Sequence, residues 1–430
     1  NCYASCPICV PSRTTIMTGR QGYESGVVSN ATHETFMRAC TEERSTLPAV
    51  LTDAGYQTCA KGKMHFEPAR AHYGFEHMKL PLDYMREYDK KQVLAHPKAH
   101  GVGECEVEPV ISTVDVKDSI TSWIAEEAID FLETRDTTRP FFLWTSFTKP
   151  HPPFDPCRDF WELYDNIPMP DAVTGDWSRT VEETPQGFLA GSYENTNLHL
   201  LGKEQRAASK RAYYACITQV DYALGRIFGC LRENDLFKNT WVIFTADHGE
   251  MLGDHHMSQK NLFFEGSAHV PLLIMPPQGR SLPQNISVEA PTDLVDLYPT
   301  ILAMAGLSSP VSVSGKNLLE PVVIPHNNNK ILWFFITDFN IFPRRSLVKH
   351  QYRIIQLRYQ IHAIHHHGHP AALHSRKIQK LLYHAGQSFG FFADYLHAFM
   401  KRLRIRPLLI GQGFRPAFDC RQRRAQLMGY

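Results

Sequence analysis

The stretch Cys9-Val10-Pro11-Ser12-Arg13, followed by Thr18-Gly19-Arg20, concentrates more reactive chemistry than any other part of the chain. Cys9 bears a nucleophile. Pro11 removes a backbone donor and biases Val10 to an extended shape, which marks a defined turn ahead of a helix. Ser12 is the expected N-cap of that helix, and Arg13 is expected in its first turn. A thiol and a guanidinium then share a helix N-terminus, where anions are favoured. Two other readings of the thiol stand beside this one. Cys6-Pro7-Ile8-Cys9 is a C-x-x-C pair that would suit redox chemistry or half a zinc site, although no second such pair exists. A buried, inert cysteine is the commonest fate of a single thiol.

Three later stretches add groups of matching chemistry. In Gly62-Lys63-Met64-His65 an ammonium and an imidazole are expected to alternate on an extended segment and so face one way. Such a pair suits a site that holds an anion and moves a proton. In Lys149-Pro150-His151-Pro152-Pro153 the prolines on both sides of His151 fix the backbone and remove competing donors. In Thr245-Ala246-Asp247-His248-Gly249-Glu250, Asp247 and His248 can offer a carboxylate and a nitrogen to a cation. This last segment continues through Gly253, His255 and Lys260 to Val270-Pro271-Leu272.

The elements that must position these groups are legible as pattern. Short apolar runs at Phe141–Phe147, Trp241–Asp247 and Val270–Met275 read as strands. Helical spacing links Trp123, Ile124, Ala128, Ile129, Phe131 and Leu132, and again Ile217, Val220, Leu224, Ile227, Phe228 and Leu231. A further helix is expected from Asp293 to Leu302. His151 and Asp247 both fall at strand ends, where α/β sheets place ligands. Strand and helix alternate over about the first 310 residues, which predicts an α/β architecture.

Taken in order, the four stretches resemble the sulfatase family of the alkaline phosphatase superfamily, whose signature is Cys-x-Pro-Ser-Arg with Thr-Gly further on. The resemblance implies an alkaline phosphatase-like fold, with a mixed, largely parallel central sheet flanked by helices. It implies that a maturation enzyme oxidises Cys9 to formylglycine, whose hydrated aldehyde is the nucleophile. It implies a divalent cation, calcium in most members, held here by Asp247 and His248. By the same resemblance Arg13 holds the diol, Lys63 neutralises oxygen charge, His151 and Lys260 serve the sulfate and the leaving group, and His65 takes a proton. The substrate is then a small sulfate ester, with specificity set by loops such as Tyr84–Val110 and Asp165–Leu201. His269 departs from the family, which often has Arg before Val-Pro-Leu.

Sulfatases also carry a strand ending in an Asp-Asp pair before the signature cysteine, whereas this sequence starts at Asn1. The resulting expectation is an N-terminally truncated catalytic domain, its first metal-binding strand missing, that binds metal poorly and is inactive. Three alternatives remain open. One is a phosphonate monoester or phosphodiester hydrolase of the same superfamily, and another is a non-catalytic remnant of the fold. The third is a zinc or redox module built on Cys6 and Cys9.

Composition bounds the rest. The chain has 45 Lys+Arg and 44 Asp+Glu, so it is not a nucleic-acid binder as a whole. No apolar run reaches about 18 residues, so no membrane span is expected. The ten cysteines lack framework spacing and do not read as a disulfide scaffold. Asn30-Ala31-Thr32 and Asn285-Ile286-Ser287 match the glycosylation pattern, but they do not fix a compartment. Residues 1–326 form the expected catalytic domain. Residues 327–430 read as a basic, His-rich, atypical segment. From Lys330 to Tyr430 there are 17 Lys/Arg, three Asp and no Glu, which is odd for a folded segment and points to out-of-frame or aberrant sequence. The run Ile364-His365-His366-His367-Gly368-His369 has no Cys, Asp or Glu beside it and reads as solvated rather than metal-binding.

Overall fold

The computed structural model describes residues 1–90, 96–176, 201–278 and 286–319. The expected basic segment 327–430, Asn285 and part of the loop Asp165–Leu201 lie outside the described residues.

The signature segment is a helix, Cys9–Thr18, that starts earlier than the sequence predicts. Its N-cap is Ile8, in extended conformation, and not Ser12. Pro11 occupies the third helical position, where its missing N–H costs nothing because the first turn's donors have no partner in the helix. Ser12 is therefore internal, and its hydroxyl donates to the Asp247 carbonyl at 2.6 Å. Arg13 lies one turn beyond the start rather than in the first turn. All ten residues of this helix are buried, so it is held from every side.

Eight short strands make three sheets among the described residues. Strand β1 (Cys2–Tyr3) lies between β6 (His269–Val270), antiparallel, and β8 (Thr292–Asp293), parallel. Strand β2 (Gln57–Gly62) lies between β3 (His77–Lys79) and β4 (Phe141–Ser146), parallel to both. Strand β5 (Val242–Thr245) pairs antiparallel with β7 (Leu272–Met275). The mixed α/β architecture holds, but its strands are divided among separate sheets. The predicted strand Val270–Met275 is split at Pro271, whose missing donor interrupts a ladder, and its halves join different sheets.

Two long helices back the parallel sheet. Ile120–Thr134 begins at Ser119, whose hydroxyl accepts from the Ser122 N–H, and it packs on Lys203–Glu233. Ala125, Ala128, Phe131 and Leu132 meet Ala223, Ile227, Cys230 and Leu231 over Cys59 of β2. The small alanines let the helices approach closely. The expected helix from Asp293 becomes a capped turn followed by Leu297–Met304. Its Tyr298 and Leu302 pack with Leu47 and Leu51.

One glycine sets the register that matters for the site. Gly62 has φ +95°, and a Cβ there would lie 2.0 Å from the Ser146 carbonyl oxygen. Only glycine permits this approach. It lets β2 and β4 end side by side, with the Lys63 N–H donating to Ser146 O at 2.9 Å.

Candidate active site

Five segments deliver side chains to one place: the start of helix Cys9–Thr18, the turns after β2, β4 and β5, and the loop that ends at Lys260. Cys9 is buried. Its Sγ lies 3.2 Å from His248 Nε2 and 3.7 Å from Lys63 Nζ. His151 and His65 lie close enough to the thiol to favour its ionised form. Arg13 Nε donates to Asp247 Oδ2 at 2.7 Å. Its Nη1 donates to Lys63 O at 2.6 Å and to Ser146 Oγ at 2.9 Å. Lys260 Nζ lies 3.0 Å from His151 Nε2. The other seven residues singled out from the sequence thus gather around Cys9, directly or through one another.

The way two of them arrive differs from expectation. Strand β2 stops at Gly62, so Lys63 and His65 do not alternate along a strand. His65 takes a left-handed φ of 67° and is largely exposed, while Lys63 turns inward to the thiol. The turn, not the pleat, brings both to Cys9. Lys149 is not in the cluster: it donates to the Pro153 carbonyl at 2.8 Å and pairs with Asp155, fastening the proline turn that carries His151. His269 pairs with Glu265 at 2.9 Å and stacks on Tyr3.

The electrostatics follow from burial and these partners. Burial alone would raise the Cys9 thiol, but hydrogen bonds with His151, His248 and His65 outweigh it and hold the pKa well below the usual thiol range. Burial also opposes ionised Asp247, yet Arg13 and then His248 hold its carboxyl below the usual carboxylate range. His151 is pushed down to about 4, chiefly by burial, with Lys63 and Lys260 adding to the effect. His248 moves the other way: burial lowers it, but Asp247 and Cys9 together raise it. Burial also depresses Lys63.

Several residues here were not assigned to the site from the sequence. Ser12 and Ser146 tie Asp247 and Arg13 into the strand ends, and Asn30 accepts from the Val10 N–H at 3.1 Å. Glu250 is buried, and burial raises its pKa. It accepts from the N–H groups of Leu252 and Gln259 and so shapes the loop that presents Lys260. Its place at the end of the Asp-His-Gly-Glu stretch was the only available signal. The cluster opens into a cavity of about 1330 Å³ lined by Arg13, Lys63, Ser146, His151, Asp247 and His248 at one end. The same cavity runs along β4 and β5, where Phe142, Trp144 and Phe244 are incompletely buried.

Cations converging on a buried nucleophile at strand ends define a class: an α/β enzyme whose site suits an anionic substrate. The comparisons narrow that class. The profile of the Sulfatase family matches residues 1–307, and the chain belongs to this family of sulfuric ester hydrolases. It is 31% identical over 350 residues to an arylsulfatase of Clostridium perfringens, covering 74% of this chain and 69% of that one. It is 30% identical over 329 residues to a choline-sulfatase of Rhizobium meliloti, covering 72% and 60%. Among solved structures, its fold is similar to the phosphonate monoester hydrolase of Agrobacterium radiobacter, with TM-score 0.58 and 24% identity over 75% of this chain and 70% of that one. The phosphonate monoester hydrolase of Silicibacter pomeroyi gives the same TM-score at 25% identity, over 74% and 67%.

Sulfatases generally work with a formylglycine and a divalent cation. The position of Cys9 fits the first, since it is buried among cations at the mouth of a helix. Asp247 and His248 face it and are the residues that would hold a cation. Calcium takes six to eight oxygen ligands. Among the described residues Cys9, Asp247 and His248 are the group placed to hold an ion, and Asp247 is its sole carboxylate, with one oxygen taken by Arg13. The other two donors are sulfur and nitrogen. The described donor set does not fit calcium.

Proposed function

We propose that this chain's site is that of a sulfuric ester hydrolase of the arylsulfatase type, with formylglycine derived from Cys9. The observation that carries the reading is the convergence of Lys63, His151, His248 and Lys260 on Cys9. Formylglycine supplies a hydrated aldehyde, an oxygen nucleophile with its own route for releasing product. Such a residue requires a formylglycine-generating maturation enzyme as a partner, and the substrate is a small sulfate ester.

The chain's own groups divide the work. Arg13 is locked by Asp247, Ser146 and the Lys63 carbonyl, so it holds the helix start in register with three turns. Lys63 places an ammonium where anionic oxygens would sit beside position 9. His151 is neutral at pH 7, and its Nδ1 contacts the Pro152 carbonyl at 2.9 Å. With that nitrogen as the donor, Nε2 accepts from Lys260. This pair is suited to carry a proton to a departing alcohol or phenol oxygen. His65, more exposed than the rest, is suited to take a proton from the group at position 9 and pass it to solvent.

A second reading has an observation of its own: solved relatives in fold are phosphonate monoester hydrolases. Sulfate monoesters and phosphonate monoesters are both monoanions, so the cation count does not separate them. Paired kinetics do. With the converted protein, kcat/KM for an aryl sulfate is expected to exceed that for an aryl phosphonate monoester. The reverse order would overturn the sulfatase reading in favour of the second.

A further inference from the structure

We infer that Gln259 is a positioning residue for the leaving-group pair: its side chain ties the backbone that presents Lys260 to the carbonyl of Cys105, and so keeps Lys260 in register with His151. This inference rests on the assignment of His151 and Lys260 to the departing oxygen.

Lys260 stands in a stretch of backbone that does not hold its shape unaided. Leu252, His255, His256, Gln259 and Asn261 all have positive φ, between 49° and 86°, a region that residues with a Cβ rarely adopt. Such conformations persist where the surroundings fix them. Gln259 is where the fixing concentrates. It is buried, with φ 65°. Its N–H donates to a Glu250 carboxylate oxygen, and its carbonyl accepts from the Met251 N–H at 2.8 Å. Both of those bonds close the loop on itself. The side chain instead leaves the loop, and Nε2 donates to the Cys105 carbonyl at 2.9 Å. On the other side of Lys260, the Asn261 N–H donates to the carbonyl of Pro7, just ahead of Cys9, at 3.2 Å. Lys260 is thus bracketed by ties to two distant segments, and its Nζ lies 3.0 Å from His151 Nε2.

The segment that receives the Gln259 amide also reaches toward His151. His100 Nε2 lies 3.4 Å from Asp155 Oδ2, with both side chains largely buried. Asp155 pairs with Lys149, which fastens the proline turn that carries His151. One stretch, from His100 to Cys105, therefore references both members of the pair. Without the Gln259 amide, Lys260 keeps its place in the chain but loses its register with His151. A proton passes along such a pair only within hydrogen-bond reach, so a small displacement is costly. Esters whose leaving oxygen needs no proton escape that cost.

The test uses the full chain, in its thiol and its converted form, with Gln259→Ala and Gln259→Gly. Glycine suits φ 65°, so that variant removes the amide without adding backbone strain. Circular dichroism confirms folding. In the thiol form, lysines are acetylated with limiting N-hydroxysuccinimide ester, and labelling is read by peptide mass. Labelling of Lys260 is expected to rise several-fold in both variants, with that of the exposed Lys238 unchanged. In the converted form, kcat for phenyl sulfate is expected to fall about tenfold or more, kcat for nitrophenyl sulfate far less, and KM to stay nearly constant. Equal losses with the two esters would show that Gln259 only supports the fold, and would overturn the proposal. Unchanged labelling of Lys260 would do the same. Converted wild type that hydrolyses neither ester would remove the hydrolase reading and the proposal with it, a result distinct from an active wild type whose variants show no split between esters.

Discussion

Replacing Arg13 by Met tests how the site is held together. Arg13 and Asp247 form an ion pair whose side chains are only 6% and 18% exposed. Asp247 stays ionised there because the guanidinium offsets the cost of burial. Removing one partner of a buried pair leaves an uncompensated charge, at a cost of roughly 3–5 kcal/mol. That is a large share of the 5–15 kcal/mol typical of a whole domain. Arg13→Met is therefore expected to lower the urea midpoint strongly at pH 7. Asp247→Asn in the same chain removes the stranded charge and should restore most of the loss. Arg13→Lys should fall between, since an ammonium keeps the charge but cannot serve Asp247, Ser146 and the Lys63 carbonyl at once. Urea melts of the wild type, both single variants and the double variant give the coupling energy directly. A cost below about 1 kcal/mol for Arg13→Met, or a double variant no more stable than Arg13→Met, would refute this account of the pair.

Other expectations follow from the same geometry. His151 titrates near 4 in the folded chain and near 6.5 when unfolded, so the unfolded state binds more protons between those values and stability falls as pH drops through them. The window is worth about 3 kcal/mol, and His151→Gln should flatten it in urea melts taken from pH 7 to pH 4; an unchanged slope would place the titration elsewhere. Gly62→Ala should cost about 3 kcal/mol or more in thermal melts, because the new methyl meets the Ser146 carbonyl at a positive φ; a neutral effect would mean β2 and β4 do not end as described. Cys9→Ala should abolish aryl sulfate turnover by the converted protein while leaving its melting profile near that of the wild type, and retained turnover would remove Cys9 from the chemistry.

Much of the site was legible because its chemistry lies at the punctuation of the chain. His151 stands between prolines, Asp247 closes an apolar run, and Cys9 opens a helix. Boundaries were less legible. Pro11 reads as a helix breaker, yet the first turn accepts it without loss, so the helix starts at Cys9 rather than after Ser12. Lys63 and His65 read as a strand pair because periodicity carries no mark of where β2 stops; Gly62 stops it, and the close approach to Ser146 is a tertiary fact. Ser146 and Glu250 were not singled out, and Ser12 was read only as an N-cap, because such residues are common and their partners lie far away in sequence. The division into three sheets was equally hidden, since strand pairing such as Cys2 with Val270 and Thr292 is non-local.

The most direct measurement is the mass of the peptide spanning residue 9, taken from the chain produced alongside a formylglycine-generating enzyme. The sulfatase account predicts an aldehyde at that position, trapped by a hydrazide probe. A peptide carrying only the unmodified thiol, from a host that converts a control sulfatase, would contradict it.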